Sequence, residues 1–350
     1  MIASHLVSRA LPVLGPAARR WRHQSELRWL AAAGPRLLSG VEGLPRDGWR
    51  TAAVRWTGTS VAVAVVAHQS SPHRLIVKVP AAAAGAANLR RQVQVLSALA
   101  RDPRLQDWAA VLPRPVHQGE IDGRCYFIEE ALPGEQGTRL LRRGREASAL
   151  LDASARLIED LHSRTAQEWP LDGAAVAAWV DLPLRRLEQL AHGPHGRGGG
   201  LGAGVERLRS ELSGSLLGRT VRRGWIHGDY WPGNLLVSPR TGRVTGIVDW
   251  DQAAADQLRL HDLLHLHLYA RRLRRGEELG EVVIEALRAG VPEAIGVPPE
   301  RVDAWIDGIP PRASLLLYWL RHVTLFLDAD GHRDNRYWIR NNIENVLLRA

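Results

Sequence analysis

Two apolar runs near the start of the chain, Val61 to Val66 and Leu75 to Val79, are rich in β-branched residues and flank the polar turn His68-Gln69-Ser70-Ser71-Pro72-His73. That pattern predicts a pair of β-strands. The period then changes: Leu89, Val93, Leu96 and Leu99 recur at three- and four-residue intervals, which predicts a helix over Ala86 to Ala100. The stretch His117 to Gly123 reads as a turn, Cys125 to Gly134 as a strand ending in a turn, and Ser148 to His162 as a second helix. Further on, Leu235-Leu236-Val237 and Val244 to Val248 predict another strand pair around the turn Ser238 to Arg243. Leu315 to Leu327, interrupted by Arg321 and His322, suits a buried helix and falls short of a membrane span. The Gly-rich segment His192 to Gly204 reads as a flexible loop, and it lacks the Lys-Ser/Thr ending of a P-loop.

Composition narrows the class. At 350 residues, with 45% hydrophobic and 24% charged, the chain has the make-up of a soluble globular protein longer than one typical domain. Cys125 is the single cysteine, which excludes an intrachain disulfide and a thiolate metal cluster and fits a reducing compartment, so cytoplasm is the expected location. The formal charge of +9 raises nucleic acid or anionic lipid as a partner. No nucleic-acid motif accompanies it, however, and Arg is spread along the whole chain. A positive field also suits a protein that handles nucleotide triphosphate, and it counts against a polycationic acceptor.

Among 46 cationic residues, Lys78 is the sole lysine, placed in Leu75-Ile76-Val77-Lys78-Val79. An ammonium is compact where a guanidinium is large and planar, so a position kept as Lys points to phosphate binding. Downstream lies Trp225-Ile226-His227-Gly228-Asp229-Tyr230-Trp231-Pro232-Gly233-Asn234, followed by Gly246-Ile247-Val248-Asp249-Trp250-Asp251. A His-x-Asp, an Asn five residues after the Asp, and an apolar strand ending in a further Asp have the spacing of a kinase catalytic loop with its metal-binding carboxylate. Phosphoryl transfer needs these types: Asp229 to orient an attacking hydroxyl and take its proton, Asn234 and Asp249 to give oxygen ligands to Mg²⁺, and Lys78 on the phosphates. The alternative assigns His227 and Asp229 to a tight turn and Asp249 to a helix cap.

With these residues in place, the chain resembles the aminoglycoside phosphotransferase and choline kinase-like group of small-molecule kinases, whose loop reads His-Gly-Asp. The likeness runs over residues 51 to 350 and is most specific from Trp225 to Asp251. It implies an α+β, protein-kinase-like bilobal fold, with residues 1–50 an N-terminal extension, 51–132 a small β-rich N-lobe and 133–350 a larger, mainly helical C-lobe. It further implies ATP, or GTP, with Mg²⁺ in the cleft, Asp229 as base, Asn234 and Asp249 on the metal, and a hydroxyl of a small molecule as acceptor. Asp262, in His261-Asp262-Leu263, matches the aspartate that braces the catalytic loop, and His162 reads as a packed core histidine. Thr57-Gly58-Thr59-Ser60 occupies the place of the nucleotide loop, where Gly58 lets backbone N–H groups approach phosphate, although an ordinary hairpin turn reads equally well. Glu130 and Leu132 sit at the hinge, where their backbone groups would meet the adenine edge.

The chain departs from the pattern at Gln92, which stands where the lobe helix normally places a Glu to pair with the lysine. Without opposite charge there, Lys78 would be held less firmly, and a degenerate kinase-like domain that binds nucleotide or a partner without phosphoryl transfer becomes the competing reading. Glu120 and Asp122 are substitutes by proximity but read as solvated. The acidic residues Asp303, Asp307, Asp328, Asp330 and Asp334 fall where the acceptor site lies in the resembled group, and they also read as a solvated face. The Arg-rich start predicts an amphipathic helix packed on the first lobe, in preference to a transit peptide.

Overall fold

The structure, a computed structural model, describes residues 16–57, 61–191, 200–327 and 332–349. It divides into two compact units, Met1–Ala86 with Val116–Ala131, and Ala87–Pro115 with Leu132–Ala350.

The smaller unit is built on five strands, β1 (Trp49–Trp56), β2 (Val61–His68), β3 (Arg74–Pro80), β4 (Pro115–Ile121) and β5 (Arg124–Glu130), in the order β1-β2-β3-β5-β4. Strand alternation sets its two faces: Ala62, Ala64 and Val66 of β2 and Leu75, Val77 and Val79 of β3 enter one core cluster. Helix α1 (Pro16–Ser39) lies against β1 and β2 and adds Leu30, Ala33, Leu37 and Leu38 to that cluster. Two readings need correction. β1 was not anticipated, because its apolar positions alternate with Arg50 and Arg55 and make no continuous run. The segment taken as the turn His117 to Gly123 is mostly β4, with the reversal confined to Asp122 and Gly123 at positive φ. Glu120 and Asp122 are exposed there, as expected.

The larger unit is mainly helical. After α2 (Ala83–Arg101), which begins in the smaller unit, come α3 (Gly144–Thr165), α4 (Gly173–Val176), α5 (Leu182–Ala191), α6 (Gly200–Leu216) and α7 (Leu260–Arg275). The chain closes with α8 (Leu279–Ala289), α9 (Val291–Ile295), α10 (Pro299–Ile306), α11 (Pro311–Phe326), α12 (Arg336–Ile339) and α13 (Asn345–Leu347). Two small antiparallel sheets cross this helical body: β6 (Glu135–Gln136) with β9 (Leu235–Val237) and β10 (Val244–Ile247), and β7 (Gln167–Pro170) with β8 (Thr220–Ile226) and β11 (Ala254–Leu258). α11 is buried along most of its length, as its apolar sequence predicted. Among the described residues, no helix is long and apolar enough to cross a membrane.

The glycine-rich loop is also corrected, since Gly200 to Gly204 form the first turn of α6. Burial of Val205, Leu208, Leu212 and Leu216 along one face outweighs the cost of those glycines, and a Cβ on Gly204 would stand 2.9 Å from the Leu347 carbonyl. Residues 192–199 of that segment lie outside the described residues, as do Asp328 and Asp330.

Candidate active site

Lys78 sits on the face of the small sheet opposite the α1 core, across from Val63 on β2 and Phe127 on β5. Glu129 faces Ile76, so the period-two pleat puts Ile76, Lys78, Phe127 and Glu129 on one side. Lys78 and Glu129 are therefore diagonal neighbours, and Nζ meets Oε1 at 2.8 Å with both side chains at most 10% exposed. This overturns the expectation that Lys78 lacks an opposite charge. The carboxylate comes from β5 instead of from the helix, where Gln92 is buried.

In the larger unit, the loop after β8 is fixed from below by Asp262, which is fully buried in the first turn of α7. Its two oxygens accept from the backbone N–H groups of His227 and Gly228, both at 2.8 Å, and Oδ2 also lies 3.1 Å from His162 Nε2. Burial would push the Asp262 carboxyl up, but the hydrogen bonds from the His162 side chain and the His227 backbone hold it below the ordinary value. Thus His162 is buried, as read, but also bonded to the brace. His227 donates from Nε2 to the Val248 carbonyl at 2.9 Å and accepts at Nδ1 from the Asp229 N–H at 3.3 Å, a pattern only the neutral Nε2–H tautomer satisfies. Burial lowers its pKa in the same sense.

Gly228 has φ +82°, and any Cβ there would collide with the Gln252 carbonyl and with the Arg321 guanidinium. Glycine is thus demanded both by backbone conformation and by close approach. Arg321, read from sequence only as an interruption of an apolar helix, donates from Nη1 to the Gly228 carbonyl at 3.0 Å and from Nη2 to that of Gln252 at 3.4 Å. It ties α11 to the loop.

Asp229 is held by three donors: His265 Nε2 at 3.0 Å from Oδ1, Asn234 Nδ2 at 3.0 Å from Oδ2, and Trp231 Nε1 at 3.3 Å from Oδ2. Burial would raise its pKa, yet the hydrogen bond from His265 outweighs it and lowers the value to about 2. A carboxylate only accepts, so His265 carries its proton on Nε2 and its Nδ1 is left to accept from the Tyr318 hydroxyl at 2.9 Å. The chain Tyr318, His265, Asp229 was not legible in the sequence. Its members come from α11, α7 and the loop, and only the pair of histidines on α7 with i, i+4 spacing, His261 and His265, offered any signal.

Asn234 spends its amide nitrogen on Asp229, donating also to the Asp229 carbonyl at 2.9 Å, which leaves its oxygen as the atom able to meet a cation. The β9–β10 hairpin forms as read from sequence, and the Val248 N–H bonds the Asn234 carbonyl at 2.9 Å, so Asp249 follows next to Asn234. Asp249 adopts φ 63°, a left-handed conformation imposed where β10 turns into the next short helix. An amide oxygen and a carboxylate form a hard donor set that fits Mg²⁺, which uses one or two protein ligands plus phosphate oxygens. Among the described residues there is no cluster of three His, Cys, Asp or Glu that would make a closed metal cage.

The remaining expected residues are placed as follows. Glu130 ends β5 opposite Leu75 in the smaller unit, Leu132 lies in the larger unit with its side chain over Gly246, and Gly58 falls outside the described residues. Asp303 and Asp334 are exposed, as read; Asp307 is not solvated but is paired with Arg222 and Arg259, each at 2.6 Å. Tyr269 and His322, which pack on Trp231 and His265, also line a cavity of about 180 Å³ with Arg272, Glu278 and Asn342.

Comparison with known proteins gives the family and the fold. Residues 58–297 match the model of the phosphotransferase enzyme family. An aminoglycoside 3'-phosphotransferase of Streptomyces ribosidificus is 30% identical over 154 residues, 41% of this chain and 55% of that protein. One of Streptomyces fradiae is 30% identical over 145 residues, 39% of this chain and 51% of that protein. The match thus spans about half the length of these curated relatives. Among solved structures, an ethanolamine kinase of Plasmodium vivax is 9% identical, with 97% of this chain and 95% of that chain covered at a TM-score of 0.54. The ADP-bound aminoglycoside phosphotransferase APH(2'')-Ib is 13% identical, with 86% and 92% covered at a TM-score of 0.50. At such identities the likeness is one of fold, and it is the kinase-like α+β fold that the sequence resembled, with a small β-rich part and a larger helical one.

Proposed function

The chain belongs to the phosphotransferase enzyme family, and from that premise we propose that it moves the γ-phosphoryl group of ATP, with GTP the alternative donor, to a hydroxyl of a small molecule. The observation that carries this reading is the Asp229 carboxylate, kept ionised by His265, Asn234 and Trp231 on a loop clamped by Asp262. At a pKa of about 2 it is a weak base, so its first task is to align the acceptor hydroxyl. It takes the proton late, once bond formation to phosphorus has made that hydroxyl strongly acidic.

Lys78 engages the nucleotide phosphates, with Glu129 holding its ammonium in place. Asn234 and Asp249 hold magnesium, and the chemistry this ion supplies when bound is neutralisation of phosphate charge. Glu130 and Leu132 offer backbone groups to the base of the nucleotide. The cavity bounded by Tyr269, Arg272, Glu278 and His322 receives the acceptor, and the presence of Arg272 together with a net charge of +9 favours a compound with few positive charges. Amino alcohols, sugars, nucleosides and antibiotics with free hydroxyls form the panel. A reducing, cytoplasmic setting accords with the single cysteine. The non-catalytic reading rested on Gln92, and Glu129 beside Lys78 removes its motive.

The test is phosphate transfer from labelled nucleotide to that panel, with Mg²⁺-ATP binding measured alongside. Asp229→Ala should abolish transfer with little loss of ATP affinity, whereas Lys78→Ala should weaken both. Unchanged rates in either variant would remove that residue from the mechanism, and ATP binding with no transfer to any hydroxyl would replace this reading with the non-catalytic one.

A further inference from the structure

Between α11 and the helical segment that leads into α5, the larger unit contains a cavity of about 210 Å³. Its apolar wall is made by Trp179 and Leu182 on one side and by Leu317 and Leu325 of α11 on the other. Leu182 and Leu325 are both exposed, so leucines from two different helices stand open at one place. The polar wall is Arg186, Gln257, His261 and Arg321, with no carboxylate among the described residues that line it. The acids of the α5 segment turn elsewhere, since Asp181 and Glu188 both pair with Arg209 of α6. α11 gives successive residues to two cavities: Arg321 and Leu325 line this one, while His322 and Phe326 line the one assigned above to the acceptor.

Two of these polar groups are left incomplete. His261 is 4% exposed, its Nδ1 is buried without a partner, and its ring makes no hydrogen bond to another described residue. Burial and the neighbouring Arg321 charge push its pKa well below the ordinary value, so the ring is neutral and offers an N–H. Arg321 spends Nη1 and Nη2 on the Gly228 and Gln252 carbonyls, and among the described residues no carboxylate lies at ion-pair distance from it. Asp262 and Asp229 act on it only from further away, and Arg91 adds a like charge. An imidazole buried without a partner, beside a guanidinium without a counter-ion, is costly unless a ligand supplies the acceptor. Apolar walls with a few convergent polar groups are the form that small-molecule sites take. We propose that this cavity binds a small monocarboxylate with an apolar body, the carboxylate accepting from His261 and Arg321 and the hydrocarbon covering Trp179, Leu182 and Leu325. Because Arg321 also holds the Gly228 carbonyl, the ligand fixes that guanidinium behind the catalytic loop and steadies the backbone next to Asp229.

Calorimetric titration of the full chain with phenylacetate, phenylacetamide and acetate separates the two parts of the site. Phenylacetate is expected to bind saturably and at least tenfold more tightly than either of the others, since the amide lacks the charge and acetate lacks the ring. Leu182→Glu places a like charge at the mouth on a side chain that is already exposed, so the fold is kept and binding should fall at least tenfold. His261→Leu removes the N–H from the wall and should weaken binding severalfold. Arg272→Gln, in the acceptor cavity, should leave it unchanged. Hydrogen exchange at the Gly228 and Asp229 amides should slow at saturation, a readout that needs no phosphoryl transfer and therefore stands apart from the reading above. The proposal is overturned if phenylacetamide or acetate binds as tightly as phenylacetate, if Leu182→Glu or a folded His261→Leu binds like the parent, if Arg272→Gln abolishes binding that Leu182→Glu keeps, or if exchange at those amides does not change. Should His261→Leu melt at a lower temperature without ligand, Leu182→Glu and the ligand series decide.

Discussion

Replacing Glu129 by Gln removes the carboxylate that meets Lys78, whose ammonium is buried on the face of the small sheet opposite the α1 core. At 2.8 Å the Coulomb attraction is about 6 kcal/mol for an effective dielectric constant of ~20. Desolvation of two side chains that are 7% and 10% exposed cancels much of it, so the intact pair contributes little beyond an apolar replacement. Breaking it is another matter. A single Glu129→Gln or Lys78→Met change should cost about 3–5 kcal/mol, because the surviving charge or its polar partner stays buried. Lys78→Met combined with Glu129→Gln should cost less than the sum of the two single changes by about 2–4 kcal/mol. Denaturant unfolding of the four proteins closes this cycle, and hydrogen exchange at the amides of β3 and β5 reports the effect locally. A coupling below about 0.5 kcal/mol is within ordinary additivity error and would refute the argument that Glu129 is the partner of Lys78. The functional corollary is that Glu129→Gln loses phosphotransfer although Glu129 touches no reacting atom.

Asp229→Asn keeps the shape of the side chain but not its charge, and phosphotransfer in the coupled assay should fall by about 10²–10⁴-fold. His265→Ala should let the Asp229 pKa rise from about 2 toward its ordinary 3.8. Since the folded value is depressed, the ionised carboxylate contributes up to about 2 kcal/mol above pH 3.8, lost as pH falls toward 2. His265→Ala should therefore be less stable than the parent at pH 6, with the two denaturation midpoints converging toward pH 2; a pH-independent gap would contradict this. Gly228→Ala meets both a left-handed backbone and the Gln252 carbonyl, so a loss on the order of 3 kcal/mol and a matching drop in melting temperature are expected.

Periodicity and spacing carried much of this protein. The strands β2, β3, β9 and β10 and the helices α2, α3 and α11 were legible before any coordinates, because each depends on neighbours within a few positions, whereas the sole lysine, a motif of fixed spacing and the family resemblance marked Lys78, Asp229, Asn234, Asp249 and Asp262 only as candidates. β1 and β4 were not, since an edge strand half open to solvent has no continuous apolar run to betray it.

What the amino-acid order could not decide is which distant groups meet. Glu129 reaches Lys78 through the register of β5 on β3, and a slip of one residue would have turned it to the opposite face. Asp229 gains His265 and Tyr318 from helices 36 or more residues further along the chain, and Gly228 gains Arg321 across 93 positions. Local sequence determines the conformation a segment favours, because that preference is short-ranged. The charge partners, and with them the lowered pKa of Asp229, come from packing, because electrostatic energy depends on separation in space and on burial.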